Sequence, residues 1–228
     1  TVGTSKATAT STAVLLKVNP ANYSILNSGK TTYYNTIDTA IAAAKTGGGD
    51  SGGGTIKVLN TVTDNTTAST NKTITIDTNG KTLTREQPII TTGGTLTIEG
   101  SGTIYCSADS VTLNSQGGNL TISSATIRGS SHHAIYVLNN TKGNITINSS
   151  YVYSNGRSAL GIYGTGDIDI TSSWIYTPVK DKNALLMANG STGDLTIKSS
   201  VLGNGRNNTS GADGDNGFSA TISYHSTG

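Results

Sequence analysis

The 228-residue sequence has little charge, almost no cysteine and no long apolar run. Charged residues make up 12% of it and the formal net charge is +2, which is too small to indicate nucleic acid as a partner. The lone Cys106 cannot form a disulfide within the chain, and its spacing from Ile104 predicts that it fills the core. No apolar run approaches the ~18 residues that span a membrane as a helix, so no membrane span is predicted.

The composition instead favours strands and turns. Glycine occurs 29 times and threonine 39 times, while hydrophobic residues reach only 33%. Abundant β-branched residues between glycines predict an all-β chain and exclude a helical bundle. Low net charge also argues against a disordered chain. Richness in threonine, serine and asparagine, without a recognisable signal peptide, predicts a mature extracellular or cell-surface protein.

Self-similarity is the most informative feature of the sequence. Seven segments open with a four-residue pattern in which polar and apolar side chains alternate, as in a half-buried strand. From the second segment onward the starts are 22 to 27 residues apart. The seven segments begin at Thr55, Thr73, Thr95, Asn119, Asn144, Asp167 and Asp194. Such a period predicts that one structural unit is stacked on the next.

Each repeat contains three short strands with inward-pointing columns. The first strand supplies Ile74, Leu96, Leu120, Ile145, Ile168 and Leu195, followed two positions later by Ile76, Ile98, Ile122, Ile147, Ile170 and Ile197. The second supplies Ile104, Ile127, Val152, Ile175 and Leu202. The third supplies Val111 with Leu113, Ile135 with Val137, Leu160 with Ile162, and Leu185 with Met187. Pairs of small residues such as Ser149 and Ser150 mark the first corner. Only stacked coils bury these columns, so a solenoid is predicted.

This pattern resembles the right-handed parallel β-helix of the pectate-lyase-like superfamily. The segments "GTIKVL" and "TITIDTNGKTLT" look like the start of many secreted β-helix proteins, and the resemblance extends over residues 34–202. Together with the seven repeats, the resemblance predicts an all-β, single-stranded right-handed parallel β-helix of about seven coils. The flanking residues add an N-terminal capping helix and an extra N-terminal strand. It says little about function, because one fold hosts many functions.

The flanks complete the predicted organisation. Residues 1–20 form a strand or arm, 21–54 a capping region, 55–202 the β-helix, and 203–228 a polar loop with a terminal strand. Within the capping region a helix is predicted over residues 36–45, with Thr36 as its N-cap and Asp38 complementing the helix dipole. The alternating arm either packs on its own rod or pairs with a neighbouring subunit.

The register places an unusual share of the aromatic residues on one outer face. Two adjacent rows on the second strand are predicted to contain Tyr105, Arg128, Tyr153 and Tyr176, and Thr126, Tyr151 and Trp174. Exposed aromatic rows with arginine suit sugar stacking or a protein interface. The other interpretation is that a corner loop or the N-terminal segment covers them.

The acidic candidates are fewer and less specific. Asp167 and Asp194 open consecutive coils, and Asp169 points outward, so a carboxylate pair for acid–base catalysis is an alternative to simple turn capping. Asp213 and Asp215 resemble a fragment of a Ca²⁺ loop, although no bidentate glutamate follows. No other cofactor is predicted. The adjacent pair at positions 132 and 133 is a poor metal clamp, because neighbouring side chains of an extended chain point in opposite directions.

Three functions follow as hypotheses. The favoured one is a non-enzymatic extracellular structural protein, a surface or appendage subunit that forms filaments or sheaths by self-association through its N-terminal arm and outer faces. The second is a polysaccharide lyase or hydrolase using Asp167, Asp169 or Asp194. The third is a glycan-binding adhesin or phage-fibre module that binds through the aromatic rows.

Overall fold

The protein is a parallel β-helix of the right-handed type with about six turns. The repeat predicts the solenoid, and the resemblance predicts its hand. The structure, a computed structural model, describes residues 20–179, 182–188 and 190–204 together with the strand Ile222–Tyr224. The predicted arm therefore lies outside the described residues except for Pro20. The predicted polar loop with Asp213 and Asp215 also lies outside them except for Gly203 and Asn204, which belong to a strand rather than to a loop.

Three sheets run along the rod, and each turn adds one strand to each. The first sheet has nine strands. These are β1 (Tyr23–Asn27), β2 (Lys30–Tyr34), β3 (Gly53–Val58), β6 (Ile74–Asp77), β9 (Thr95–Glu99), β12 (Asn119–Ser123), β15 (Ile145–Asn148), β18 (Ile168–Thr171) and β21 (Leu195–Lys198). From β3 to β21 the pairing is parallel.

The second and third sheets have seven parallel strands each. The second consists of β4 (Val62–Thr63), β7 (Thr82–Arg85), β10 (Thr103–Cys106), β13 (Thr126–Gly129), β16 (Tyr151–Ser154), β19 (Trp174–Thr177) and β22 (Val201–Asn204). The third consists of β5 (Ala68–Thr70), β8 (Ile89–Thr91), β11 (Leu113–Ser115), β14 (Ile135–Val137), β17 (Leu160–Ile162), β20 (Leu185–Met187) and β23 (Ile222–Tyr224).

The predicted columns of the first two strands are confirmed. In the first sheet Leu120 pairs with Leu96 and Ile145, and the same register continues through Ile168 to Leu195. These side chains stack into one core along the axis, and most of them are fully buried. The second and third sheets have seven strands each, so the predicted count of about seven coils is close to the observed six turns.

Two predicted registers are wrong by two residues. Thr55 pairs with Thr75 rather than with Thr73, and β3 starts at Gly53, two residues before the predicted segment. In the third sheet Leu113, not Val111, pairs with Ile135.

The third-sheet shift follows from buried hydroxyl groups that periodicity reads as polar. Ser115 occupies the inward place opposite Val137. It is fully buried, and its hydroxyl donates to the carbonyl of Gly118 at 2.6 Å. Thr91, opposite Ser115 in the preceding coil, is buried in the same way and donates to the carbonyl of Gly93. A satisfied hydroxyl therefore replaces an apolar side chain in this column.

The N-terminal end is covered by more than the predicted helix. Helix α1 spans Ile37–Ala43, shorter than the predicted 36–45, and a four-residue helix α2 spans Gly49–Gly52. Neither helix is long and apolar enough to cross a membrane. α1 contacts β5, whereas the edge of β3 is covered by the antiparallel hairpin β1–β2, which was not predicted. Thr36 occupies the N-cap without a side-chain cap, and the Asp64 carboxylate accepts from the Ile37 nitrogen instead.

Candidate binding surface

The predicted aromatic rows lie together on the outer face of the second sheet. Parallel pairing places Tyr105 beside Arg128, Arg128 beside Tyr153, and Tyr153 beside Tyr176. Since the same register operates throughout, one side chain per coil projects from the same position of the rod. The row is therefore a fixed ladder rather than a chance cluster.

Within this ladder the side chains stack on one another. The Arg128 guanidinium carbon lies 4.8 Å from the ring centroid of Tyr105 and 5.7 Å from that of Tyr153. The rings of Tyr153 and Tyr176 are stacked with centroids 5.6 Å apart. Cation–π contacts at exposed sites contribute about 0.5–1 kcal/mol each. The ladder is thus pre-ordered, and the Arg128 guanidinium packs between the rings of Tyr105 and Tyr153.

The adjacent row contains the most exposed aromatic side chain of this face, Trp174, next to the half-buried Tyr151. Tyr151 pairs with Thr126 on one side and Trp174 on the other, and Trp174 pairs with Val201. The Trp174 side chain is 48% exposed, and its ring centroid lies 6.1 Å from that of Tyr151. Burial raises the pKa of the Tyr151 hydroxyl, and the nearby Tyr153 adds to this effect. The hydroxyl is therefore protonated at neutral pH and can donate a hydrogen bond.

The corner beside this row is built from two serine columns. The first column has left-handed backbone, with φ of 54° at Ser124 and 50° at Ser149 and Ser172. Short polar residues and glycine tolerate this conformation best, which accounts for the small-residue pairs in the sequence. The side chains of this column are exposed to solvent.

The second serine column is internal and holds the coils together. The Ser150 hydroxyl donates to the Asn148 carbonyl at 2.6 Å and accepts from the Ala125 nitrogen at 3.2 Å. Ser173 repeats both bonds one coil further on, donating to the Thr171 carbonyl and accepting from the Ser150 nitrogen. These bonds fix the corner and thereby the position of the exposed hydroxyls next to it.

Between the exposed serines and the aromatic row lies an open groove of about 470 Å³. Its lining is confined to serine, threonine, alanine, valine, tyrosine and tryptophan and includes no charged side chain. The lining residues are Ser101, Ser124, Ala125, Thr126, Ser149, Ser150, Tyr151, Ser172, Ser173, Trp174, Ser199 and Val201. The groove thus combines an apolar aromatic wall with a wall of hydroxyl groups.

The three predicted acidic candidates lie elsewhere, on the first sheet. The Asp167 carboxylate accepts the backbone N–H of Asp194 at 3.0 Å, and Asn144 does the same for Asp167. Asp169 is exposed between Thr146 and Thr196. Among the described residues, the only salt bridges are those between Lys57 and Asp77 and between Arg85 and Asp64. The geometry therefore gives Asp167 a turn-capping role, and none of the three faces the groove.

The remaining candidates do not form a metal site in the described part of the chain, where no group of three histidine, cysteine or acidic side chains could hold a metal ion. The rings of His132 and His133 lie 5.0 Å apart at a corner. His133 is buried and its Nδ1 contacts the Ser158 carbonyl at 2.8 Å. Cys106 is fully buried, as predicted, and burial raises the pKa of its thiol. Asp213 and Asp215 lie outside the described residues.

Comparison with known proteins adds no relative. No protein family, curated protein or solved structure matches this chain. Because a parallel β-helix can have many functions, the function of this chain has to be argued from its surface.

Sequence reasoning placed the aromatic rows but missed the groove beside them. The signal was present in the small-residue pairs at the first corner of each coil, such as Ser149 and Ser150. Their spacing indicates tight corners, and the structure shows that these residues also line one wall of the groove.

Proposed function

We propose that this chain is a glycan-binding β-helix module of an extracellular protein. The observation that carries the proposal is the open groove in which Trp174 and Tyr151 face a row of serine hydroxyls. Binding sites for small polar ligands combine aromatic surface with a few placed hydrogen-bonding groups. Sugars present the matching chemistry, an apolar ring face edged with hydroxyl groups.

Four further features support this proposal. The groove is built on strands and corners fixed by buried hydrogen bonds, so little ordering is needed when a ligand binds. The composition is typical of a secreted protein, and the repeat resembles the pectate-lyase-like superfamily, many of whose members act on polysaccharides. The acidic candidates lie outside the groove, which favours binding over cleavage.

A glycan array probed with the whole chain tests the proposal. We expect binding that is lost on Trp174→Ala and retained on Tyr33→Ala, since Tyr33 is 63% exposed on the hairpin and is not among the residues that line the groove. Binding that both variants retain, or no binding at all, contradicts the proposal. Cleavage of a polysaccharide that disappears in Asp167→Asn supports the lyase or hydrolase alternative instead.

A second candidate function is assembly of a surface filament or sheath. The hairpin favours this function, because β2 is the outermost strand of the first sheet among the described residues. Tyr33 is exposed on β2, and Leu26 of the neighbouring strand β1 is 40% exposed. Edge strands of this kind pair readily with another chain. Deleting residues 1–18 is expected to abolish assembly, seen by electron microscopy and light scattering, while circular dichroism shows the rod still folded. Assembly by the truncated chain contradicts a role for the arm.

A further inference from the structure

The shape of the groove limits which glycan fits it. This inference rests on the proposed function and adds the ligand class. The corner residues that line the groove, Ser101, Ser124, Ser149, Ser172 and Ser199, come from five consecutive coils. The groove therefore runs parallel to the rod axis, and a ligand that fills it has to be extended rather than branched or compact.

The repeat of the groove also has a defined length. Neighbouring strands of a sheet are about 4.8 Å apart. Four coils present one exposed serine hydroxyl at the same place, at Ser124, Ser149, Ser172 and Ser199, and Gly100 occupies that place in the coil before them. This distance is close to the advance of one pyranose residue along an extended 1,4-linked chain. Successive sugar residues then meet equivalent hydroxyl groups in successive coils, so that each added residue contributes a similar increment of binding.

Charge distinguishes neutral from acidic polysaccharides. The lining contains no charged side chain. The nearest cation in the adjacent row, Arg128, lies against the rings of Tyr105 and Tyr153 rather than in the groove lining. A uronate carboxylate placed in the groove loses hydration and meets no cationic side chain in the lining, which is unfavourable. The lining is suited to an uncharged chain.

We propose that a linear, uncharged polysaccharide binds along this groove, parallel to the rod, with one sugar residue per coil. Trp174 stacks against one pyranose face, Tyr151 contacts the next residue, and the exposed hydroxyls of Ser149 and Ser172 bind sugar hydroxyls. Aromatic stacking supplies most of the affinity, and the hydroxyl row sets the direction of the chain.

Calorimetric titration of the whole chain with two matched series of oligosaccharides tests this. The neutral series consists of 1,4-linked gluco-, manno- and xylo-oligosaccharides of two to seven residues, and the acidic series consists of oligogalacturonates of the same lengths. We expect at least one neutral series to bind with an affinity that rises with each residue and levels off at about five, the number of coils lining the groove. We expect oligogalacturonates to bind at least tenfold more weakly.

Variants connect the result to the groove. Trp174→Ala is expected to weaken binding at least tenfold and Trp174→Tyr to restore most of it, while Tyr33→Ala is the exposed aromatic control. Thr126→Lys, which places a cation at the groove, is expected to reduce the difference in affinity between the neutral oligosaccharides and the oligogalacturonates.

Each contrary result has a distinct meaning. Tighter binding of oligogalacturonates, or affinity that does not change with length, overturns this inference but leaves glycan binding intact. Absence of binding to either series and to the glycan array overturns both proposals together.

Discussion

The Asp64 carboxylate accepts a 2.7 Å hydrogen bond from the hydroxyl of Tyr23, which is 41 positions earlier in the chain. Both side chains are buried, and the same carboxylate oxygen accepts from the Ile37 nitrogen at the start of α1. The other oxygen accepts from the nitrogen and hydroxyl of Thr66. The fully buried Arg85 donates to the backbone carbonyl of Asp64. One carboxylate thus joins the hairpin, the capping helix and the first turn of the rod.

Replacing Asp64 by asparagine is therefore expected to destabilise the capped end severely. Burial alone acts to raise the pKa of Asp64, but hydrogen bonds from Thr66, Tyr23 and Ile37 outweigh it and hold the pKa below its usual value, so the group is ionised in the fold. The neutral amide of the variant lacks the charge that compensates Arg85. Removing one partner of a buried ion pair costs about 3–5 kcal/mol, which urea unfolding measures.

The control for this prediction is Asp169→Asn, a change of the same type on the exposed face of the first sheet. Exposed substitutions of this kind change stability by less than about 0.5 kcal/mol. Equal unfolding midpoints for the two variants contradict the role assigned to Asp64.

Lys72 makes the corresponding contact at the other end of α1. Its ammonium group donates to the carbonyls of Ile41, Ala42 and Ala44 at 2.8–3.1 Å. We expect Lys72→Met to cost about 1.5–3 kcal/mol, since hydrogen bonds to charged groups are worth that much. The Ala44 amide, which donates to the Ala40 carbonyl, should then exchange faster in hydrogen-exchange measurements. The matched change Lys142→Met, at an exposed position, should leave that amide protected.

The sequence alone was sufficient to predict the fold because the first-strand columns are regular. Ile122 and Ile147 stand at the same place of consecutive repeats, and a column of large apolar residues can be recognised without coordinates. The aromatic ladder followed from the same register, as the pairing of Arg128 with Tyr153 shows.

What the sequence did not reveal depends on contacts between distant residues. Nothing near Asp64 in the sequence identifies Tyr23 as its partner, and the inward place of Ser115 is occupied by a hydroxyl that periodicity assigns to the surface. The groove has a similar origin, because it is formed by the left-handed backbone at Ser149 and Ser172 rather than by a motif.

His133 makes stability depend on pH in a defined range. Burial lowers the pKa of His133 from 6.5 to about 4. The hydrogen bond to the Ser158 carbonyl acts against this shift, while the nearby positive charges of His132, Arg157 and Lys182 add to it. Below pH 6.5 the unfolded chain binds a proton that the folded chain does not. The free energy of unfolding therefore decreases as pH falls from 6.5 to about 4. Below that pH the loss due to His133 is complete and amounts to about 3 kcal/mol.

The comparison that isolates this effect is His133→Asn, whose amide nitrogen replaces Nδ1 as donor to the Ser158 carbonyl. We expect the free energy of unfolding of this variant to fall less than that of the original chain between pH 6.5 and 4. Parallel curves for the two proteins contradict a buried neutral His133. The titration of the ring, followed by NMR, gives an independent value of its pKa.

Gly161 leaves the space that His133 occupies. A β-carbon at position 161 would lie 2.8 Å from both Cε1 and Nδ1 of the imidazole, although the residue pairs normally with Tyr136 in the third sheet. We expect Gly161→Ala to displace the ring, weaken its bond to the Ser158 carbonyl and cost about 1–3 kcal/mol, as overpacking does. Thermal unfolding measures that cost.

Displacement of the ring also has a signature that a general loss of stability lacks. The more hydrated His133 of Gly161→Ala should titrate closer to the ordinary 6.5 than to about 4. Gly52→Ala is the matched control, because a β-carbon there meets no atom within 4 Å and the backbone is not left-handed. If the His133 titration is the same in both variants, the imidazole does not occupy the space above Gly161.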